Sequence, residues 1–107
     1  MPAVPELSPV EFAERWPDHA LGNGVVLLDV REHAELALAA VAGAVHIPMR
    51  EVPARLADLA PSQPIVVMCH SGRRSYAVAE FLLGNGFRDV FNLRGGIDAW
   101  STQLDSQ

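Results

Sequence analysis

The chain has 107 residues, half of them hydrophobic and 20% charged, which is one domain's worth of sequence with enough apolar material for a packed core. A formal charge of -5 argues against nucleic acid or an anionic membrane as a partner. No apolar run nears the ~20 residues of a membrane-spanning helix, and the first dozen residues lack the basic and apolar regions of a signal peptide, so a cytoplasmic protein is expected.

Residues 1–7 read as a loose lead-in. Ser8 is an N-cap, Pro9 sits at the first helical position and Glu11 completes a capping box, so a helix is predicted from Ser8 to about Trp16, before Pro17. Leu21-Gly22-Asn23-Gly24 signals a turn. Val25 to Val30 is an apolar run that suits a strand covered on both faces. Glu32 to Ala40 reads as a helical or loop excursion and Val45-His46-Ile47 as a short strand. Pro53 to Leu59 resembles a helix and Ile65 to Met68 a second buried strand. Ser75 to Leu83 is the strongest helix, with Tyr76, Ala79, Leu82 and Leu83 at helical spacing and Gly84-Asn85-Gly86 as its stop. Val90-Phe91 is a last strand, and Gly95-Gly96 turns into a terminal helix reaching Trp100. Strands alternate with helices throughout, which predicts a three-layer α/β domain. Its core runs over about residues 6–101 of 1–107, around a mainly parallel sheet of about five strands. Ligands of such sheets bind beyond the C-terminal strand ends.

Cys69 is the only cysteine. Alone it forms no intramolecular disulfide and no thiolate metal cage, which suits a reducing compartment. His19 and His33 have no partners at metal-ligand spacing, so no metal is expected. Cys69 closes a buried strand, and Ser75 stands where the next helix is predicted to begin. Between them runs His70-Ser71-Gly72-Arg73-Arg74. A loop curled about the sulfur aims backbone amides at it, the following helix adds positive partial charge, and two arginines add full charges. Each effect favours thiolate over thiol, so no separate general base is needed. Gly72 permits the tight turn, Ser71 and Ser75 can bond the sulfur or cap the helix, and His70 is expected to point outward. Arg74 is expected to hold the loop or bind an anionic donor, with Arg73 at the rim. The alternative reading is a buried cysteine beside a solvated basic turn. The tryptophans are expected to pack, Gly95 and Gly96 to serve the turn alone, and His46 to be a satisfied sheet histidine.

The segment Cys69-His70-Ser71-Gly72-Arg73-Arg74-Ser75 resembles the active-site loop of the rhodanese superfamily. Three more segments resemble the family in register: Leu27 to Glu32, Gly43 to Pro48, and Asn92 to Trp100 with its Gly-Gly…Trp pattern. The resemblance implies a sulfurtransferase without a dissociable cofactor. Cys69 takes sulfur from a donor such as thiosulfate, holds it as a persulfide, and passes it to an external thiol or cyanide; a sulfur-relay protein is a further candidate partner. It also implies a structural role for Asp29 and Arg31 behind the site, Asp29 bonding loop backbone and Arg31 an acidic neighbour such as Glu35. Cysteine phosphatases use Cys-x5-Arg, whereas here Ser75 stands six residues after Cys69 and Arg74 five. The shorter loop suits a sulfur atom over a tetrahedral phosphate. A phosphatase or arsenate reductase on this scaffold, and a binding module without turnover, are the competing readings. Ala39-Ala40-Val41-Ala42 departs from the family's Gly-His-Ile-Pro pattern and is expected to be more helical.

Overall fold

A computed structural model describes residues 3–17 and 24–104. His19 and most of the turn at Leu21 to Gly24 therefore lie outside the described residues. Five strands form one sheet: β1 (Glu6–Leu7), β2 (Val26–Asp29), β3 (Val45–His46), β4 (Ile65–Met68) and β5 (Val90–Leu93). Their order is β1-β5-β4-β2-β3 and every pairing is parallel. Four α-helices accompany them: α1 (Pro9–Arg15), α2 (His33–Leu36), α3 (Arg73–Gly84) and α4 (Gly96–Gln103).

Parallel strands covered on both faces need apolar residues of both parities, and β4 is buried at all four positions. Leu28 and Val67 face one core with Ile47, Val78 and Leu82. Leu27 and Val66 face the other, with Phe12, Phe91 and Trp100. Phe12 stands 5.3 Å from Trp16 and 5.4 Å from Trp100, ring centre to ring centre, so both tryptophans pack as expected. The capping box of α1 is formed: the Ser8 amide donates to Glu11 Oε1 at 2.8 Å and the Glu11 amide to Ser8 Oγ at 3.1 Å.

Four local expectations need correction. The lead-in contains an edge strand, with Glu6 opposite Asn92 and Leu7 opposite Leu93; two residues are too few to show alternation. Residues 53–58 are 3₁₀ rather than α, kinked at Arg55, because a stretch this short closes single turns more readily than a cooperative helix. Residues 39–41 are not helical. The Ala39 carbonyl instead accepts from Arg31, and Gly43 turns the chain at φ 86°. In α3 the buried face is Ser75, Val78, Ala79 and Leu82, whereas Tyr76 is exposed.

From β2 the chain moves outward to β3, then returns to β4 on the other side of β2. The order therefore reverses between β2 and β4, and the crevice beyond their C-terminal ends is where such sheets hold ligands. Asp29 closes β2 there, and Cys69 follows β4.

Candidate active site

Cys69 is 1% exposed, at the floor of its loop. The Gly72 amide lies 3.1 Å from its Sγ, the Ser75 amide 3.4 Å and the Ser75 hydroxyl 3.3 Å. Burial alone pushes the Cys69 thiol up. Hydrogen bonds from the Ser75 hydroxyl and from the Ser75, Gly72 and Ser71 amides outweigh it and leave the thiol below its ordinary value.

Two backbone features make the loop converge. Gly72 has φ 105° and is itself the N-cap of α3, so neither serine caps that helix; Ser75 lies inside its first turn, aimed at the sulfur. On the outer side, the Ile97 amide donates to the Cys69 carbonyl at 2.9 Å and the Asp98 amide to the His70 carbonyl at 3.2 Å. The first turn of α4 thus finds partners for its own amides and draws two loop carbonyls away from the sulfur. That close approach needs Gly96: a Cβ there falls 2.4 Å from both carbonyl oxygens. Gly96 therefore shapes the cysteine loop as well as the turn, which corrects the sequence reading for that residue; a Cβ on Gly95 would meet only Ala99.

Arg74 is engaged chiefly by Glu35, with a smaller electrostatic contact to the Cys69 sulfur. Its guanidinium grips Glu35 through two hydrogen bonds, 2.7 Å to Oε1 and 2.8 Å to Oε2. Arg74 holds the Glu35 carboxyl down at about 2, and its own pKa is raised in return. Arg73 is exposed and makes no ion pair among the described residues. His70 points outward as expected, and its Nε2 lies 3.0 Å from Asp98 Oδ1.

The sequence expectation pairs Arg31 with an acidic neighbour such as Glu35; its carboxylate partner is Asp29 instead. Arg31 donates from NH2 to Asp29 Oδ2 at 2.8 Å and from Nε to Asp29 Oδ1 at 3.0 Å, and it reaches only the backbone carbonyl of Glu35. Asp29 and Arg31 sit two residues apart on one strand end and meet directly, which leaves Glu35 for Arg74 across the crevice. Asp29 also accepts from the Arg31 amide at 3.0 Å, the expected backbone bond. His46 Nε2 lies 2.6 Å from the Arg31 carbonyl, so that histidine is satisfied.

Asn92 was not foreseen. It is 1% exposed on β5. Its amide nitrogen donates to Glu6 Oε2 at 2.8 Å and to the Gly72 carbonyl at 3.0 Å, and its oxygen lies 2.5 Å from Ser75 Oγ, so it competes with the Cys69 sulfur for that hydroxyl's single hydrogen. It therefore ties β1 to the cysteine loop. The available signal is a lone amide in the apolar run Val90-Phe91-Asn92-Leu93, since buried polar groups are kept where they are bonded.

The sequence profile of the rhodanese-like domain matches residues 14–103. The chain belongs to the rhodanese-like domain family. It is 39% identical over 98 residues to a "Sulfurtransferase" of Allochromatium vinosum, covering 92% of this chain and 89% of that one. It is 34% identical over 102 residues to "Thiosulfate sulfurtransferase GlpE" of Pseudomonas fluorescens, covering 91% of this chain and 92% of that one. Among solved structures, a rhodanese-related protein of Thermoplasma volcanium superposes with a TM-score of 0.81 at 27% identity, covering 94% and 93% of the two chains. These likenesses support membership of the sulfurtransferase family. Among the described residues, no helix is long and apolar enough to cross a membrane.

Proposed function

We propose that this rhodanese domain moves a sulfane sulfur from thiosulfate, or a persulfide donor, to a thiol or cyanide through a Cys69 persulfide. The observation that carries the reading is the pair of amides, Gly72 and Ser75, within 3.4 Å of Cys69 Sγ, joined at 3.3 Å by the Ser75 hydroxyl when its hydrogen turns from Asn92 to the sulfur. They favour an ionised sulfur in a site that needs no base to form it. The thiolate attacks the outer sulfur of thiosulfate, the sulfur–sulfur bond of the donor breaks, and sulfite leaves with that electron pair. The same donors then hold the terminal sulfur. Arg73, exposed and without an ion pair among the described residues, is a cation of the loop that can meet the donor's oxygens, while Arg74, tied to Glu35, holds the loop. Residues 1–107 contain no second cysteine, so the acceptor comes from outside them. A reduced thiol of this kind works in the cytoplasm, where a sulfur-relay protein is a fitting partner.

Intact-protein mass spectrometry after thiosulfate treatment should show the gain of one sulfur, removed by cyanide. Cys69→Ser should abolish the gain and leave the thermal transition in place. Sulfur transfer by Cys69→Ser ends the covalent mechanism. Turnover of p-nitrophenyl phosphate without sulfur uptake would favour phosphatase chemistry.

A further inference from the structure

Beside the cysteine loop lies a cleft of about 150 Å³ whose walls include Arg31, Glu35, Leu38, His70, Asp98 and Ser101. His70 and Asp98 bracket one end through two contacts: Nε2 to Oδ1 at 3.0 Å, and the Asp98 amide to the His70 carbonyl at 3.2 Å. Against an ionised carboxylate, Nε2 carries the hydrogen, so Nδ1 keeps its lone pair. The side chains are 58% and 69% exposed, open to an incoming molecule. The uptake step described above leaves this pair without a task, because the thiosulfate dianion has no proton to lose. A thiol acceptor does. At pH 7 an ordinary thiol of pKa ~8.5 is only about 3% ionised.

We propose that His70, oriented by Asp98, accepts the proton of a low-molecular-weight thiol seated in this cleft. The thiol S–H proton passes to Nδ1. The new thiolate attacks the terminal sulfur of the Cys69 persulfide and the Cys69 sulfur leaves as thiolate. The products are the acceptor's persulfide and the free Cys69 thiolate; the proton returns from the imidazolium to water, and no oxidant or reductant is consumed. The cleft's volume admits a cysteine-sized body. The charged groups that line the cleft with His70 are Asp98 on α4, Arg31 and Glu35; Cys69 precedes His70 in the chain, and Arg73 and Arg74 follow at the head of α3. The proposal rests on the persulfide reading above.

The test follows loss of the extra sulfur from the loaded protein by rapid-quench mass spectrometry, with cysteine or with sulfite as acceptor. Loading with inorganic polysulfide as well as thiosulfate keeps the measurement possible whichever donor is preferred. In His70→Gln the ratio of the cysteine rate to the sulfite rate should fall about tenfold at pH 7, within the ~30-fold ceiling set by the thiol's own ionisation. The defect should shrink toward nothing by pH 9.5, where the acceptor ionises unaided. Asp98→Asn keeps an oxygen for Nε2 and loses the charge, so its defect should be smaller with the same pH dependence. An unchanged ratio in His70→Gln, or equal slowing with both acceptors, overturns the proposal. A wild-type protein that gains no sulfur from either source overturns the persulfide reading and this proposal with it.

Discussion

The loops that follow β2 and β4 leave neighbouring strands at the same end of the sheet, yet they treat charge in opposite ways. After β2, the Asp29 carboxylate and the Arg31 guanidinium are 1% and 3% exposed and meet in a doubly bonded pair, with two further Arg31 donors taken by the Glu35 and Ala39 carbonyls. After β4, the Cys69 sulfur receives amides and a hydroxyl, and the nearby Arg74 is held by Glu35. The first loop cancels its charge internally and so acts as scaffold. The second surrounds one atom with partial charges that favour an anion, which is what the proposed sulfur chemistry needs. What separates scaffold from site is whether a full opposite charge closes the circuit.

Asp29→Ala should have the largest effect on stability, lowering it by about 3–5 kcal/mol in urea denaturation, because a buried guanidinium is left unpaired. A loss under 1 kcal/mol would show that solvent reaches Arg31 and that the β2 loop is less closed than described. Gly96→Ala should cost about 1–3 kcal/mol, since a side chain at φ 59° meets the Cys69 and His70 carbonyls. Sulfur uptake should fall by more than stability alone accounts for, as carbonyls pushed from α4 re-aim the loop amides. Equal uptake at saturating thiosulfate would separate α4 from the site.

Ser75→Ala removes one donor worth about 1 kcal/mol, which raises the midpoint of Cys69 alkylation with iodoacetamide by roughly half to one pH unit. The direction is fixed by that hydroxyl's part in lowering the thiol. The smallest effect concerns Arg74 and Glu35. Glu35 titrates at about 2 in the folded chain, below the ~4.3 of an unfolded glutamate. Because the folded value is the lower one, the contribution is complete above about pH 5 and is lost as the pH falls from there to about 2. The gap in urea midpoint between wild type and Arg74→Ala should narrow over that interval; a constant gap would mean that the pair adds nothing.

Much of this was legible along the chain. The apolar runs of β2 and β4, the capping box at Ser8, the stop after Gly84 and the cysteine loop carry their meaning in consecutive residues, because capping, turn formation and two-sided burial are set over a few positions. Partners across the crevice were not legible. Sequence proximity suggests an acidic neighbour such as Glu35 for Arg31, yet Glu35 belongs to Arg74, 39 residues away. Asn92 joins Glu6, 86 residues distant, to the cysteine loop. Gly95 and Gly96 read as a turn, and only the approach of α4 to the Cys69 carbonyl reveals the other task of Gly96.

By itself, then, the amino-acid order determined the α/β alternation, the parallel sheet, and Cys69 in a donor-rich loop at a strand end. Those follow from local propensity and the periodicity of burial. The tertiary structure alone decided which arginine is spoken for, which carbonyls turn away from the sulfur, and that His70 leans on Asp98. Such choices depend on which side chains of distant segments come within about 3 Å, and that distance is set by how the helices pack on the sheet.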